Sequence, residues 1–152
     1  MKNILCLMLT IGVLFSACKK EEDNNNSNTT TYPFSCKLGG TDFHDNPQAS
    51  VNSSDVLIID ATYNTNTIRL TLPFFSQRNT GDTIQFSLPG MGVVTQDNIT
   101  YSNIFNPPGE INITELNTID GTISATFEFR ANELENFQHV MVTEGKLNKV
   151  NF

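Results

Sequence analysis

The chain has 152 residues, a formal net charge of −7 and a sequence pI of about 4.6. An acidic balance with no basic run excludes nucleic acid as an expected partner, because phosphate binding needs clustered Lys and Arg. Three cysteines in 152 residues are too few for a disulfide scaffold, and the length allows one domain with a real core but not two.

The first element is a leader. Lys2 gives a positive n-region and residues 4–15 form an apolar h-region. That stretch falls short of the about 20 apolar residues that cross a hydrocarbon core and suits a signal peptide. It closes on Leu14-Phe15-Ser16-Ala17-Cys18, with small Ser16 and Ala17 before the scissile bond. This run resembles the lipobox of bacterial lipoproteins, although Phe15 stands where Leu is commonest. The resemblance implies a signal peptide over residues 1–17 and acylation of the Cys18 thiol. Two or three acyl chains anchor stably where one is marginal. The following residues 19–31 contain no apolar side chain, so residues 18–31 are expected to be the lipidated Cys and a flexible tether. Lys19-Lys20-Glu21-Glu22-Asp23 resembles the acidic export signal of surface lipoproteins of the Bacteroidota. The implied location is the outer membrane, lipid-anchored and cell-surface exposed, with a periplasm-facing placement as the alternative.

Residues 32–152 are read as a single β-domain carrying six basic and thirteen acidic residues. Residues 32–38 form a strand that turns at Gly39-Gly40 into a short strand around Phe43. Residues 56–63 and 67–72 form a hairpin through Asn64-Thr65-Asn66, with Ile68, Leu70 and Leu72 on the buried face. Ile84, Phe86 and Leu88 alternate with Thr83, Gln85 and Ser87. Residues 110–116 and 122–130 pair through a turn ending in Asp120-Gly121, and Ile123, Ala125, Phe127 and Phe129 form the apolar face of the second strand. Glu144-Gly145 is expected to turn residues 138–143 into residues 146–152. Strict alternation and Asn/Gly turns are the marks of antiparallel hairpins with one wet face. Only residues 131–137 could hold a helical turn. The fold class is therefore all-β, an antiparallel meander of roughly nine or ten short strands forming a small barrel or a barrel-like sandwich. Cys6 leaves with the leader, and Cys36, in register with Phe34 and Leu38, is expected to be a small buried hydrophobe.

No catalytic set is legible, and the domain is read as non-enzymatic, without metal or cofactor. His44 and His139 lack ligand neighbours at metal spacing, and no nucleophile elbow or phosphate loop occurs. Asp60 interrupts an apolar strand and Glu115 falls in phase with Ile111 and Ile113, which leaves a carboxylate-dependent hydrolase as a minor alternative. Asp42, Asp45 and Asn46, and Asp97 with Asn98, suit turns better than calcium. The ligand-binding candidates are Phe74, Phe75 and Arg78 in one loop and Phe105 in a second, the two loops forming the sides of a mouth. The partner would be an unidentified protein or small ligand. A lipocalin-like carrier of a small apolar molecule is the other reading, and it requires an open interior. Asp82-Thr83-Ile84 resembles the O-glycosylation sequon of the Bacteroidota, which would place a glycan on Thr83.

The pieces Phe34-Ser35-Cys36-Lys37-Leu38-Gly39-Gly40-Thr41-Asp42-Phe43, Thr67-Ile68-Arg69-Leu70-Thr71-Leu72-Pro73 and Ile119-Asp120-Gly121-Thr122-Ile123 are similar to those of a family of small Bacteroidota lipoproteins of unknown function. Many members carry an aromatic, often Trp, just after the first turn, where Phe43 stands here. The resemblance implies the fold and brings no catalytic residues.

Overall fold

The computed structural model describes residues 31–104, 109–136 and 138–152. The leader, Cys18, most of the tether and Phe105 lie outside them. The strands are β1 (Phe34–Leu38), β2 (Thr41–Asp45), β3 (Gln48–Val51), β4 (Val56–Tyr63), β5 (Asn66–Pro73), β6 (Thr83–Gln85), β7 (Gly92–Gln96), β8 (Ile99–Ser102), β9 (Gly109–Asn117), β10 (Thr122–Asn132) and β11 (His139–Asn151). The fold is all-β and antiparallel, a single sheet curled into a half-barrel. Nine strands follow one path, β2-β1-β11-β10-β8-β7-β5-β4-β3, while β9 pairs with β10 and carries β6.

Two-residue turns set the hairpins where the sequence supplies left-handed residues. Gly39 and Gly40 (φ 57° and 87°) join β1 to β2, and Asp97 and Asn98 (φ 52° and 64°) join β7 to β8. Both are the mirror-image geometry that matches strand twist. Asp97 and Asn98 are thus turn formers. Leaving aside the β6–β9 branch, the path follows chain order from β3 to β11 and then passes to β1 and β2, and its two ends, β2 and β3, are joined by Asn46-Pro47. At that seam the Asp45 carboxylate accepts the Thr62 N–H at 2.6 Å. Outside it the His44 ring lies between those of Tyr32 (4.2 Å) and Tyr63 (4.4 Å).

Three details differ from the sequence expectation. Glu144-Gly145 does not reverse the chain, because β11 runs unbroken past both β1 and β10 with a bulge there. Gly145 is needed because a Cβ would lie 2.5 Å from the Phe127 ring. Among the described residues the helical turn lies at Phe75–Gln77, and β10 continues to Asn132 into the segment expected to hold it. Leu88 is exposed instead of buried. The strand β6 stops at Gln85 because the carbonyls of Phe86 and Leu88 are taken by the Asn103 amide.

The interior is filled. Phe34, Phe43, Phe86, Phe129, Leu57, Ile59, Ile68, Leu70, Leu72, Ile111, Ile113 and Ile123 are all under 2 % exposed. Among the described residues these side chains pack into one continuous core. Among the described residues, Asn103 is the buried polar side chain of the core, 1 % exposed. Its Oδ1 accepts the Gly92 N–H at 2.9 Å, and its Nδ2 donates to Phe86 O at 3.1 Å and Leu88 O at 2.8 Å.

Asn103→Ala would leave one donor and two acceptors without that partner, and should cost about 2 kcal/mol. Urea unfolding should show a lower midpoint with an unchanged slope, and an unshifted midpoint would contradict the role given to Asn103. Burial pushes the Cys36 thiol up to about 12 from its ordinary 9.0. The unfolded chain loses this proton first, so the contribution of this group to stability falls as pH rises between about 9 and 12, by up to about 1.4 kcal/mol per pH unit. The stability of Cys36→Ala should decline less steeply than that of the native chain in that window, and equal slopes would refute the assignment.

Candidate functional site

The loop after β5 is built around a backbone reversal. Pro73 still pairs with Val56, but Phe74 takes the left-handed conformation (φ 55°, ψ 46°), which costs an ordinary L-residue roughly 1–2 kcal/mol. The reversal starts the single turn Phe75–Gln77, closed by Gln77 N–H to Phe74 O (3.1 Å) and Arg78 N–H to Phe75 O (3.0 Å). Asp55 clamps it from the neighbouring loop. Its main-chain carbonyl accepts the Phe75 N–H at 2.9 Å, and its carboxylate accepts the Ser76 N–H at 2.8 Å and the Ser76 hydroxyl at 2.7 Å. Arg78 closes the base, its Nη2 donating to Pro73 O at 2.9 Å.

These bonds decide which phenylalanine is displayed. Phe75 is buried and its ring meets that of Phe152 edge-on at 4.9 Å. Phe74 is left 58 % exposed. Phe75 is therefore core and the Arg78 guanidinium is a brace, so of the three loop candidates Phe74 alone faces outward. Ile119 joins it. The Phe152 N–H donates to Gly121 O, which brings the turn at residues 117–121 beside Phe152, and Ile119 in that turn is 95 % exposed. Sequence reasoning passed over Ile119, although a large apolar residue inside an Asn/Asp/Gly turn is an unusual choice for water. The turn holds its shape through Asn117 Oδ1, which accepts the N–H groups of Ile119 and Asp120, both at 3.0 Å.

The described parts of the two loops do not meet in the expected mouth. The second loop leaves β8 at Ser102, which pairs with Asn132 at the far end of β10, whereas Phe152 lies beside Gly121, next to its start. The strand β10 has 11 residues, which places the two loops at opposite ends, on the order of 35 Å apart. Phe105 itself is outside the described residues.

The remaining candidates lie on the outer wall. Thr83 is exposed on β6, its hydroxyl donating to Asn112 Oδ1 at 2.5 Å. Asp60 forms a two-pronged ion pair with Arg69 (2.6 and 2.9 Å) in a groove of about 450 Å³ lined also by Thr62, Thr67, Val93 and Thr95. Glu115 is exposed and elsewhere. Ile113 pairs with Ala125 and Glu115 with Ser124, so Thr114 is an extra residue in the ladder, and this bulge turns Glu115 out of the phase of Ile111 and Ile113. The structure does not bring Asp60 and Glu115 together. A second groove of about 380 Å³ includes Glu110, Asn112, Glu128, Glu144 and Lys146. There the amides of Asn112 and Gln85 hold the Glu110 carboxyl below its usual range.

Residues 43–151 match the family described as "Domain of unknown function (DUF6252)". The chain belongs to this family. No curated protein and no solved structure matches it. The DUF6252 match begins at Phe43, so it takes in all of the walls and loops described above except β1 and the start of β2. The displayed Phe74 and Ile119 both fall within the DUF6252 region.

Because Phe74 is exposed and left-handed, Phe74→Gly should raise stability by about 1 kcal/mol, visible as a higher thermal midpoint. A clear loss of stability would mean that the ring makes contacts the fold needs.

Proposed function

We propose that the chain is a lipid-anchored outer-membrane lipoprotein, exposed at the cell surface, whose β-domain is non-enzymatic and binds a ligand or partner through the end that carries Phe74 and Ile119. The observation that carries the binding part is Phe74 itself: an aromatic ring held out to solvent, in a conformation that works against stability, by the bonds that Ser76 donates to Asp55 and Arg78 to Pro73. Strained backbone retained at a loop tip is a feature of recognition sites, and an exposed Phe fills a pocket or an interface when it meets one. The anchor part is supported by the order of h-region, small residues, Cys18 and polar segment. Hydrolysis has less support, since Asp60 is engaged by Arg69 and Glu115 is distant from it. The filled interior likewise counts against a carrier.

Labelled palmitate should enter the chain in its own cells and be absent from Cys18→Ala. Label that persists in that variant would remove the anchor. Protease added to intact cells should release the domain, and protection that ends only when the outer membrane is opened would assign it to the periplasmic face.

A further inference from the structure

Among the described residues, four large apolar side chains are more than half exposed: Ile119 (95 %), Leu134 (65 %), Phe74 (58 %) and Leu88 (52 %). All four sit in loops, two at each end of the barrel. Ile119 and Phe74 share the end where β11 finishes, whereas Leu134 follows β10 at its far end and Leu88 is bonded to Asn103 just past β8. Exposure alone does not say which end meets a partner, but the direction of the chain does. The strand β1 is antiparallel to β11, with Phe34 opposite Leu147, and Pro33 O accepts the Asn148 N–H at 2.8 Å. Pro33 also shares a groove with Lys149, Val150 and Asn151. The chain thus enters the domain from the end at which Phe152 packs on Phe75.

We infer that the end bearing Phe74 and Ile119 rests on the lipid surface that holds the acylated Cys18, with both side chains entering the headgroup boundary. This deepens the proposed function by naming the partner of the same loops, and it rests on the anchor. Residues 19–31 can reach at most about 45 Å when fully extended. Pro33 lies beside Asn148, nine residues along β11 from His139 at the opposite end, so turning that end to the membrane would consume roughly 30 Å of the tether. The end that the chain enters from needs almost none of it.

Charge sets the depth. Asp55, Asp82 and Asp120 stand at this end, and each accepts a hydrogen bond from its own or the adjoining loop: Asp55 from Ser76, Asp82 from the Asn79 N–H and Asp120 from the Asn117 amide. Carboxylates so placed keep their hydration only in a shallow contact. Two apolar tips then reach the boundary of headgroup and acyl chain, as interfacial segments do, while the barrel stays in water.

The chain has no Trp, which gives a direct test. The acylated full-length chain, carrying Phe74→Trp, Ile119→Trp or Leu134→Trp one at a time, is reconstituted on vesicles of phosphatidylethanolamine with a minority of phosphatidylglycerol, with and without brominated acyl chains. Flotation and the mass of the Cys18 peptide are read in parallel. The expected result is a blue-shifted emission and roughly twofold quenching at positions 74 and 119, with neither at 134. Floating, acylated protein whose fluorescence at 74 and 119 is no more quenched than at 134 overturns this orientation and leaves the anchor standing, with the end free for a protein partner. Protein that neither floats nor carries acyl chains overturns both.

Discussion

Phe127 and Phe129 enter the interior from the longest ladder of the sheet, and each has glycine where a neighbour would otherwise carry a side chain. Gly145 is the cross-strand partner of Phe127, and Gly109 that of Phe129. A Cβ at Gly109 would lie 2.6 Å from the Phe129 Cβ, and one at Gly92, on β7, 2.7 Å from the Phe129 ring. Three strands thus approach β10 closely enough to touch two rings because three residues have no side chain. That approach closes the curve of the sheet. It lets Phe129 meet Phe86 at 5.2 Å and Phe127 meet Phe34 at 5.2 Å, linking the β6–β9 branch and the first strand to the same core. With Cys36 a free thiol, packing among such rings holds the fold where a staple might have.

The same curvature produces two unlike ends. At one, Asn103 ties the segment after β6 to Gly92 by buried hydrogen bonds, so the chain there is fixed by polar contacts inside the core. At the other, Phe75 and Phe152 plug the interior with an edge-on pair, and Asp55 holds the loop above them. Burying Phe75 is what obliges Phe74 to face water. A strand would have alternated the two rings across a sheet. The reversal at Phe74 instead sends one ring into the end of the core and the other away from it.

Period-two alternation was sufficient for β5 and β10, because each buries a continuous apolar face and no bulge interrupts the pattern over its central residues. It failed for β3, whose Gln-Ala-Ser-Val has no buried side chain, and for β8, where Tyr101 alone is buried. Such strands exist because a neighbour offers a ladder, which no local window contains. Glu144-Gly145 shows the same limit from the other side. A bulge and a tight turn ask for the same residues, and only the simultaneous pairing of β11 with β1 and β10 distinguishes them. Glu115 was misassigned for a related reason, since one extra residue at Thr114 inverts every side chain beyond it. At the candidate site, the opposed directions of Phe74 and Phe75 were legible. Their unequal fates, the bracing role of Arg78 and the exposure of Ile119 depend on contacts with residues 55, 76, 121 and 152, which lie far off in sequence.

The walls of the barrel are poor surfaces for an apolar partner. Their side chains are engaged with one another: Asp60 with Arg69, Lys37 with Glu144, Gln85 with Glu110, Thr83 with Asn112. Breaking such exposed pairs gives a partner little, since each contributes only about 0–1 kcal/mol, yet their polar groups would have to be desolvated. Among the described residues, the large apolar side chains that stand more than half free of the fold lie in the loops at the two ends, so end-on contact removes the most apolar surface from water per side chain. Of the ends, one is also where the chain enters. Under the anchor proposed above, the segment before Pro33 limits how far that end turns from the surface that holds Cys18, and it raises the local concentration of that surface at Phe74 and Ile119 well above anything diffusing past. Under that proposal, two modest apolar contacts too weak to recruit a free partner are enough to orient the anchored domain.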